Sequence, residues 1–280
     1  MLILEKILFP PMSLNRRKLA EKLKGKSILI TGASSGIGEQ VAILLAQFDV
    51  HLLLVARREE KLLLLKEELE KKRAKVSVFP ADLRKEEEMN AFLKYIHDEF
   101  SPLDIVVNNA GHSIHRSIFQ ALDRYHDFKR TMKINYLAPV QLLLSVIPIL
   151  AKRQGQIINV STVNVLLFPF PEWSAYQASK AAFDTWFRSV SPELKAANID
   201  TTSIYFPLVR TAMIEPTTAY KNMPAMDPVQ AAKRICKAMY TKQKMYKPWW
   251  LFLGELFSVA FRRPLEWALD RSYKKRRKGI

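Results

Sequence analysis

Short apolar runs recur along the chain at Ser27–Thr31, His51–Val55, Val76–Phe79, Ile105–Val107, Ile157–Val160 and Thr202–Phe206. Their length and their Gly, Pro or Asn boundaries are those of buried strands. Between them the apolar positions recur every three or four residues. That spacing predicts helices over Glu39–Gln47, Glu59–Lys75, Lys85–Phe100 and Lys129–Lys152, and another from Tyr176 through Ala181, Ala182, Phe183, Trp186 and Phe187. Pro139 falls inside the fourth helix and is expected to kink it. Strands alternating with helices of this length predict an α/β fold, a doubly wound parallel sheet with right-handed crossovers. Residues 1–25 are expected to be an extension, 26–245 the domain, and 246–280 an apolar and basic C-terminal segment.

In such a sheet, ligands sit at the carboxyl ends of the strands. Chemistry-bearing residues gather there: a glycine turn after Thr31, then Arg57, Asp82, Asn108, Ser161 and Pro207. The turn is Gly32-Ala33-Ser34-Ser35-Gly36-Ile37-Gly38, between a strand and a helix. That arrangement presents backbone N–H groups and a helix N-terminus to a phosphate. The second strand runs into Arg57-Arg58 where an NAD site would have a carboxylate for the ribose 2′-hydroxyl. Two guanidiniums there favour a 2′-phosphate, hence NADP(H).

Tyr176 and Lys180 are four residues apart, on one helix face. A phenol with a reference pKa near ~10 needs help to work near neutrality, and an adjacent ammonium is expected to lower that value. Tyr-x-x-x-Lys alone is common on helices; its position among the strand-end residues is what marks it.

Composition changes the picture in one respect. With 49% hydrophobic residues the chain is of globular type, and the single Cys236, in a helical apolar pattern, reads as core and excludes an internal disulfide. The net charge of +17 is unusual and implies attraction to something anionic. Basic residues concentrate at Arg16–Lys26 and at Lys274–Lys278. They are not interleaved with aromatics on a platform, which disfavours nucleic acid. No clustering of His, Cys and carboxylates suggests a metal. No apolar run is expected to span a bilayer, and no secretory leader is read.

With these residues assembled, the chain closely resembles the short-chain dehydrogenase/reductase family over about residues 26–240. Thr31–Gly38 resembles its cofactor turn, and Asn108-Asn109-Ala110-Gly111 its fourth-strand motif. The resemblance implies a Rossmann-type sheet and cofactor contacts from Gly32, Ser34, Ser35, Gly36, Ile37, Gly38, Arg57, Arg58, Asp82, Leu83, Asn109, Ala110, Gly111, Tyr176, Lys180, Pro207, Val209 and Thr211. It implies catalysis by Asn135, Tyr176, Lys180 and one of Ser161 and Thr162, which stand where the family usually has two serines. Tyr176 would exchange the proton on a substrate oxygen, and Lys180 would hold the nicotinamide ribose and lower the Tyr176 pKa. Asn135 would order a water. The usual Pro-Gly after the sixth strand is here Pro207-Leu208. The family's habit implies a dimer or tetramer. His112 and His115 read as exposed loop residues.

Residues 207–217 resemble the matching segment of bacterial reductases of long-chain acyl-CoA or fatty aldehydes. The apolar loop Leu166–Pro171 suits a hydrophobic carbonyl or alcohol substrate, or else packs in the core or an oligomer contact. Trp249–Phe261 followed by Arg262-Arg263 reads either as a lid over the cleft or as a helix at an anionic membrane surface. The expectation is a cytoplasmic oxidoreductase with peripheral membrane attachment. The alternative, a cofactor-binding sensor or scaffold without turnover, has no use for the Tyr176–Lys180 pair.

Overall fold

The computed structural model describes residues 2–215, 217, 220 and 222–278. Each run read as a strand forms one: β1 (Lys26–Thr31), β2 (Val50–Ala56), β3 (Lys75–Pro80), β4 (Ile105–Asn108), β5 (Gln156–Thr162) and β6 (Asp200–Phe206). They pair in the order β3-β2-β1-β4-β5-β6, with a two-residue strand, β7 (Met245–Tyr246), added beside β6. Every pairing is parallel, as a Rossmann-type sheet requires. The strand order turns around between β1 and β4, which opens the ligand crevice.

Alternation along the strands builds two cores. Ile28, Ile30, Leu52 and Leu54 face α3 (Gly36–Leu45), α4 (Glu59–Glu70) and α9 (Pro228–Thr241), where Cys236 is buried as expected. Leu29, Leu53 and Val55 face α5 (Glu86–Asp98), α7 (Ala138–Arg153) and α8 (Ser174–Ala196). Each fully buried Leu, Ile or Phe contributes about 1.5–3 kcal/mol.

Several features depart from the expectations. α4 stops at Glu70 rather than Lys75, because Arg73 N and Ala74 N donate to Ala46 O and turn the chain into β3. The first 25 residues, expected to be an extension, pack onto the domain. They hold α1 (Leu2–Leu8) and α2 (Arg16–Leu23), and Leu19 and Leu23 are completely buried in the first core. At the other end β7, Trp250 and Leu251 pack onto the sheet, so the contacts run through the boundary expected at residue 246. Beyond them lie α10 (Leu251–Ala260) and α11 (Arg262–Lys278).

The fourth predicted helix is a rod from α6 (Tyr125–Met132) through a wide π turn at Lys133–Leu137 into α7. Pro139 has no N–H for the carbonyl of Asn135, and Ala138 N–H reaches back five residues to Lys133 O. The irregularity therefore lies just before Pro139 and centres on Asn135. Contrary to expectation, residues 125–153 are long and apolar enough, by length and composition alone, to cross a bilayer. Leu142, Leu143, Val146 and Leu150 are buried in the second core, as in the core helix of a soluble domain.

Candidate active site

The glycine turn follows β1 because side chains tie it to the end of β4. Thr31 Oγ1 accepts from Asn109 N and Ala110 N, both at 3.0 Å, and Asn109 Nδ2 donates to Thr31 O at 3.0 Å. Gly32 and Gly36 hold φ of 69° and 64°, in the region that favours glycine. A Cβ on Gly32 would lie 2.9 Å from Ala110 Cα, and one on Gly38 would lie 2.5 Å from Gly32 O. Only glycine lets the turn pack this tightly at these positions, and the turn leads straight into the N-terminus of α3, where backbone N–H groups can meet a phosphate. Ile37 packs on the first core. Thr211 crosses beside Gly36, Val209 is bridged to Met226, and Pro207 is half-buried at the end of β6.

Arg58 bends over the turn. Its Nη2 donates to Ser35 Oγ at 2.6 Å and to Ser34 Oγ at 3.0 Å. One guanidinium and two hydroxyls thus converge at the end of β2. Arg57 is exposed, and its charge acts on Asp82 and His112. Asp82 is gripped by Arg84, with Nε at 2.9 Å from Oδ1 and Nη2 at 2.5 Å from Oδ2. Burial would raise the Asp82 pKa, but the hydrogen bonds and charge of Arg84, aided by Arg57, bring it below the usual value. Leu83 lies in the second core.

The other predicted residues meet at the carboxyl ends of β4 and β5. Asn135, in the π turn, donates from Nδ2 to His112 O at 2.8 Å and to Ser179 Oγ at 2.9 Å, and its Oδ1 accepts from His112 N at 2.9 Å. Ser179 Oγ in turn donates to Tyr176 O at 2.7 Å. Lys180 donates to Val160 O at 3.2 Å and lies against Gly111, where a Cβ would come 3.4 Å from Nζ. Thr162 lies beside the Tyr176 phenol and acts to lower its pKa. Ser161, one residue earlier on β5, is buried beside Tyr205 of β6.

The expected lowering of the Tyr176 pKa by Lys180 is not what the geometry gives. Tyr176 and Lys180 keep some accessible surface but lie deep among protein atoms. Burial pushes the phenol up to about 12, against the opposing hydrogen bond from Thr162 and with a further rise from Tyr220. Burial also brings the Lys180 ammonium down to about 8. Each group is desolvated, and the lysine spends its hydrogen bond on a carbonyl of β5. The phenol therefore stays protonated at neutral pH, as a proton donor must.

The histidines are not plain exposed loop residues. His112 is half-buried, and burial, followed by the charge of Arg130, lowers its pKa. His115 Nε2 sits 2.7 Å from Glu172 Oε2, and its ring lies 4.1 Å from that of Trp173. Sequence reasoning gave no role to Ser179 or Gln177, although both stand inside the Tyr176 stretch. Gln177 Nε2 donates to Asn164 O at 2.8 Å and its Oε1 accepts from Phe170 N at 3.1 Å, which pins the apolar loop before Tyr176. Within that loop Leu166 and Leu167 pack on Val163, Tyr205 and Leu251, while Phe170 is exposed. Part of the loop is thus core.

Residues 26–222 match the family model of short chain dehydrogenases. Over 242 residues the chain is 43% identical to a fatty acyl-CoA reductase of Acinetobacter baylyi, covering 86% of this chain and 81% of that one. Over 244 residues it is 37% identical to a fatty acyl-CoA reductase of Mycobacterium tuberculosis, covering 85% and 82%. Among solved structures, a short-chain dehydrogenase of Sphingobium yanoikuyae in complex with NADPH shares the fold with a TM-score of 0.73 and 23% identity, covering 91% of this chain and 96% of that one.

Proposed function

The chain belongs to the short chain dehydrogenase family of oxidoreductases, and from that premise we propose that it uses NADPH to reduce the carbonyl of a fatty acyl thioester or fatty aldehyde. The observation that carries the reading is the meeting of Tyr176, Thr162 and Lys180 at the carboxyl end of β5, with Lys180 held by Val160 O at 3.2 Å on the same helix face as Tyr176. Reduction needs a hydride on the carbonyl carbon, which bound NADPH supplies. The proton on the oxygen comes from the Tyr176 hydroxyl, and Thr162 stabilises the negative charge that develops there. An aldehyde gives the alcohol directly, whereas a thioester gives a hemithioacetal whose C–S bond then breaks to release the thiol and the aldehyde. Lys180, anchored on Val160 O, would hold the nicotinamide ribose. Asn135 and Ser179 fix the start of α8, and with it the aim of Tyr176.

The residues fit this cofactor. Gly32, Gly36 and Gly38, lacking Cβ atoms, let the turn close tightly against Ala110, Thr211 and its own backbone, and Gly111 lies beside the Lys180 ammonium. Arg58, with Ser34 and Ser35, would hold the 2′-phosphate, with Arg57 adding charge. A charged hydrogen bond contributes about 1.5–3 kcal/mol, so Arg58→Ala should raise the NADPH dissociation constant on the order of 10- to 100-fold. The NADH constant should barely move. Equal loss for both cofactors in a titration would contradict the assignment.

Fatty substrates are supported by the two reductases at 43% and 37% identity and by the apolar loop that precedes Tyr176. The test is NADPH oxidation by the purified protein against aldehydes, ketones and acyl-CoA thioesters of increasing chain length. Turnover that rises with chain length is expected. Cofactor binding without turnover on any carbonyl would overturn the proposal in favour of a sensor.

A further inference from the structure

Two helices at opposite ends of the chain carry their polarity the wrong way round. α10 turns Gly254, Glu255 and Ser258 toward the protein. Gly254 lies against Leu167, Glu255 pairs with Lys247 at 2.5 Å, and Ser258 Oγ accepts from Phe168 N at 3.2 Å. Its outward side is Phe252, Leu253, Leu256, Phe257 and Val259, all at least half exposed. α1 does the same: Glu5 Oε1 turns inward to accept from Arg210 Nη2 at 2.7 Å and from Ala225 N at 3.2 Å, while Ile3, Leu4 and Ile7 face outward. A surface helix bathed in water has the reverse arrangement. The two helices are joined, since Trp249, just before α10, donates from Nε1 to Ile7 O at 3.1 Å; Trp249 itself remains 59% exposed.

Exposed apolar side chains gathered on two joined helices mark a contact with something apolar, and the charges beside them decide which. Lys6 on α1 and Arg263 and Arg271 on α11 are exposed, and Arg271 lies over the exposed Trp267 ring at 5.3 Å. The sequence continues into Lys274–Lys278 in a chain of net charge +17. A second copy seated symmetrically on this face would set these cations against their own equivalents. An anionic lipid surface satisfies both parts: aliphatic and aromatic side chains enter the interface, and the cations meet lipid phosphates.

We propose that α1 and α10 together dock the protein on an anionic membrane surface, beside the loop at 165–168 that leads from Thr162 to Tyr176. Docking does not depend on the reaction proposed above; delivery of substrate from the bilayer rests on that reading.

The test is co-sedimentation of the full chain with vesicles of phosphatidylcholine alone and of phosphatidylcholine mixed with phosphatidylglycerol, at low and high salt. Binding to the mixed vesicles at low salt is expected, with partial loss at high salt. Ile3→Ser with Ile7→Ser, and Phe252→Ser with Phe257→Ser, should each weaken it on the order of tenfold or more. Turnover of a short, water-soluble aldehyde should be unchanged in both variants, which also verifies their folding. Vesicle binding without any turnover supports docking and counts against the reaction. No sedimentation at low salt, or sedimentation indifferent to both pairs of substitutions, overturns the proposal. So does a dimer, seen by light scattering, that either pair dissociates while no vesicles are bound.

Discussion

Tyr176→Phe should lower carbonyl reduction by about 10²–10⁴-fold, the range lost when a positioned general acid is removed. The substitution keeps the ring and deletes only the hydroxyl, so packing at the start of α8 is retained. NADPH should still bind, because the turn at Gly32–Gly38 and the Arg58 cluster are untouched. Thr162→Ala should be the next most damaging, since Thr162 holds the phenol. Ser161→Ala should matter little, because that side chain is enclosed in β5 beside Tyr205. Steady-state rates for the three variants on one aldehyde decide the matter. Full activity in Tyr176→Phe would remove the mechanism, and greater damage from Ser161→Ala than from Thr162→Ala would reassign the hydroxyl.

Lys180→Met should cost about 10²–10³-fold in turnover, as for removal of a preorganised electrostatic group, and yet make the protein more stable near neutrality. Burial lowers the Lys180 pKa from 10.5 to about 8 in the folded chain. Below pH 8 the lysine is charged in both states, and folding bears the whole cost of desolvating it, about 3 kcal/mol. Between about 8 and 10.5 the unfolded chain binds the extra proton, so stability rises with pH across that window. Methionine has similar length and no charge, so the penalty and the slope should both vanish. Denaturant unfolding of the two proteins at a series of pH values, without added cofactor, isolates the effect because all other groups are shared. A variant no more stable than the parent at neutral pH would mean that Lys180 has compensation beyond its bond to Val160 O.

The sheet was legible because its strands are continuous apolar runs bounded by Gly, Pro and Asn, and because parallel strands need both faces covered. The turn at Gly32 was legible for the same local reason. What escaped depends on distant partners. Leu19 and Leu23 belong to a stretch rich in Arg and Lys, and only packing against α9 shows them to be core. β7 is two residues long and exists because β6 offers an edge. The partner of Lys180 is a main-chain carbonyl twenty residues earlier. No side-chain pattern reports such a bond, or the burial that raises the Tyr176 pKa. His115 and Glu172 lie too far apart in the chain for spacing to join them.

The rod at 125–153 buries Asp127, Thr131, Asn135, Pro139, Leu143, Val146 and Leu150. Most of those steps are four residues, whereas a regular α-helix closes a turn in about 3.6. Uncorrected, such a stripe would drift around the axis by about 40° at every turn. The wide turn at Lys133–Leu137 takes up that phase error in one place. It lets polar residues of the site and apolar residues of the core share one side of one helix. Deleting a single residue there would rotate everything downstream by about 100° and swing Leu143 and Val146 away from the sheet. The segment that positions Asn135 is thus also the one that keeps the second core in register, and its length is no more negotiable than its chemistry.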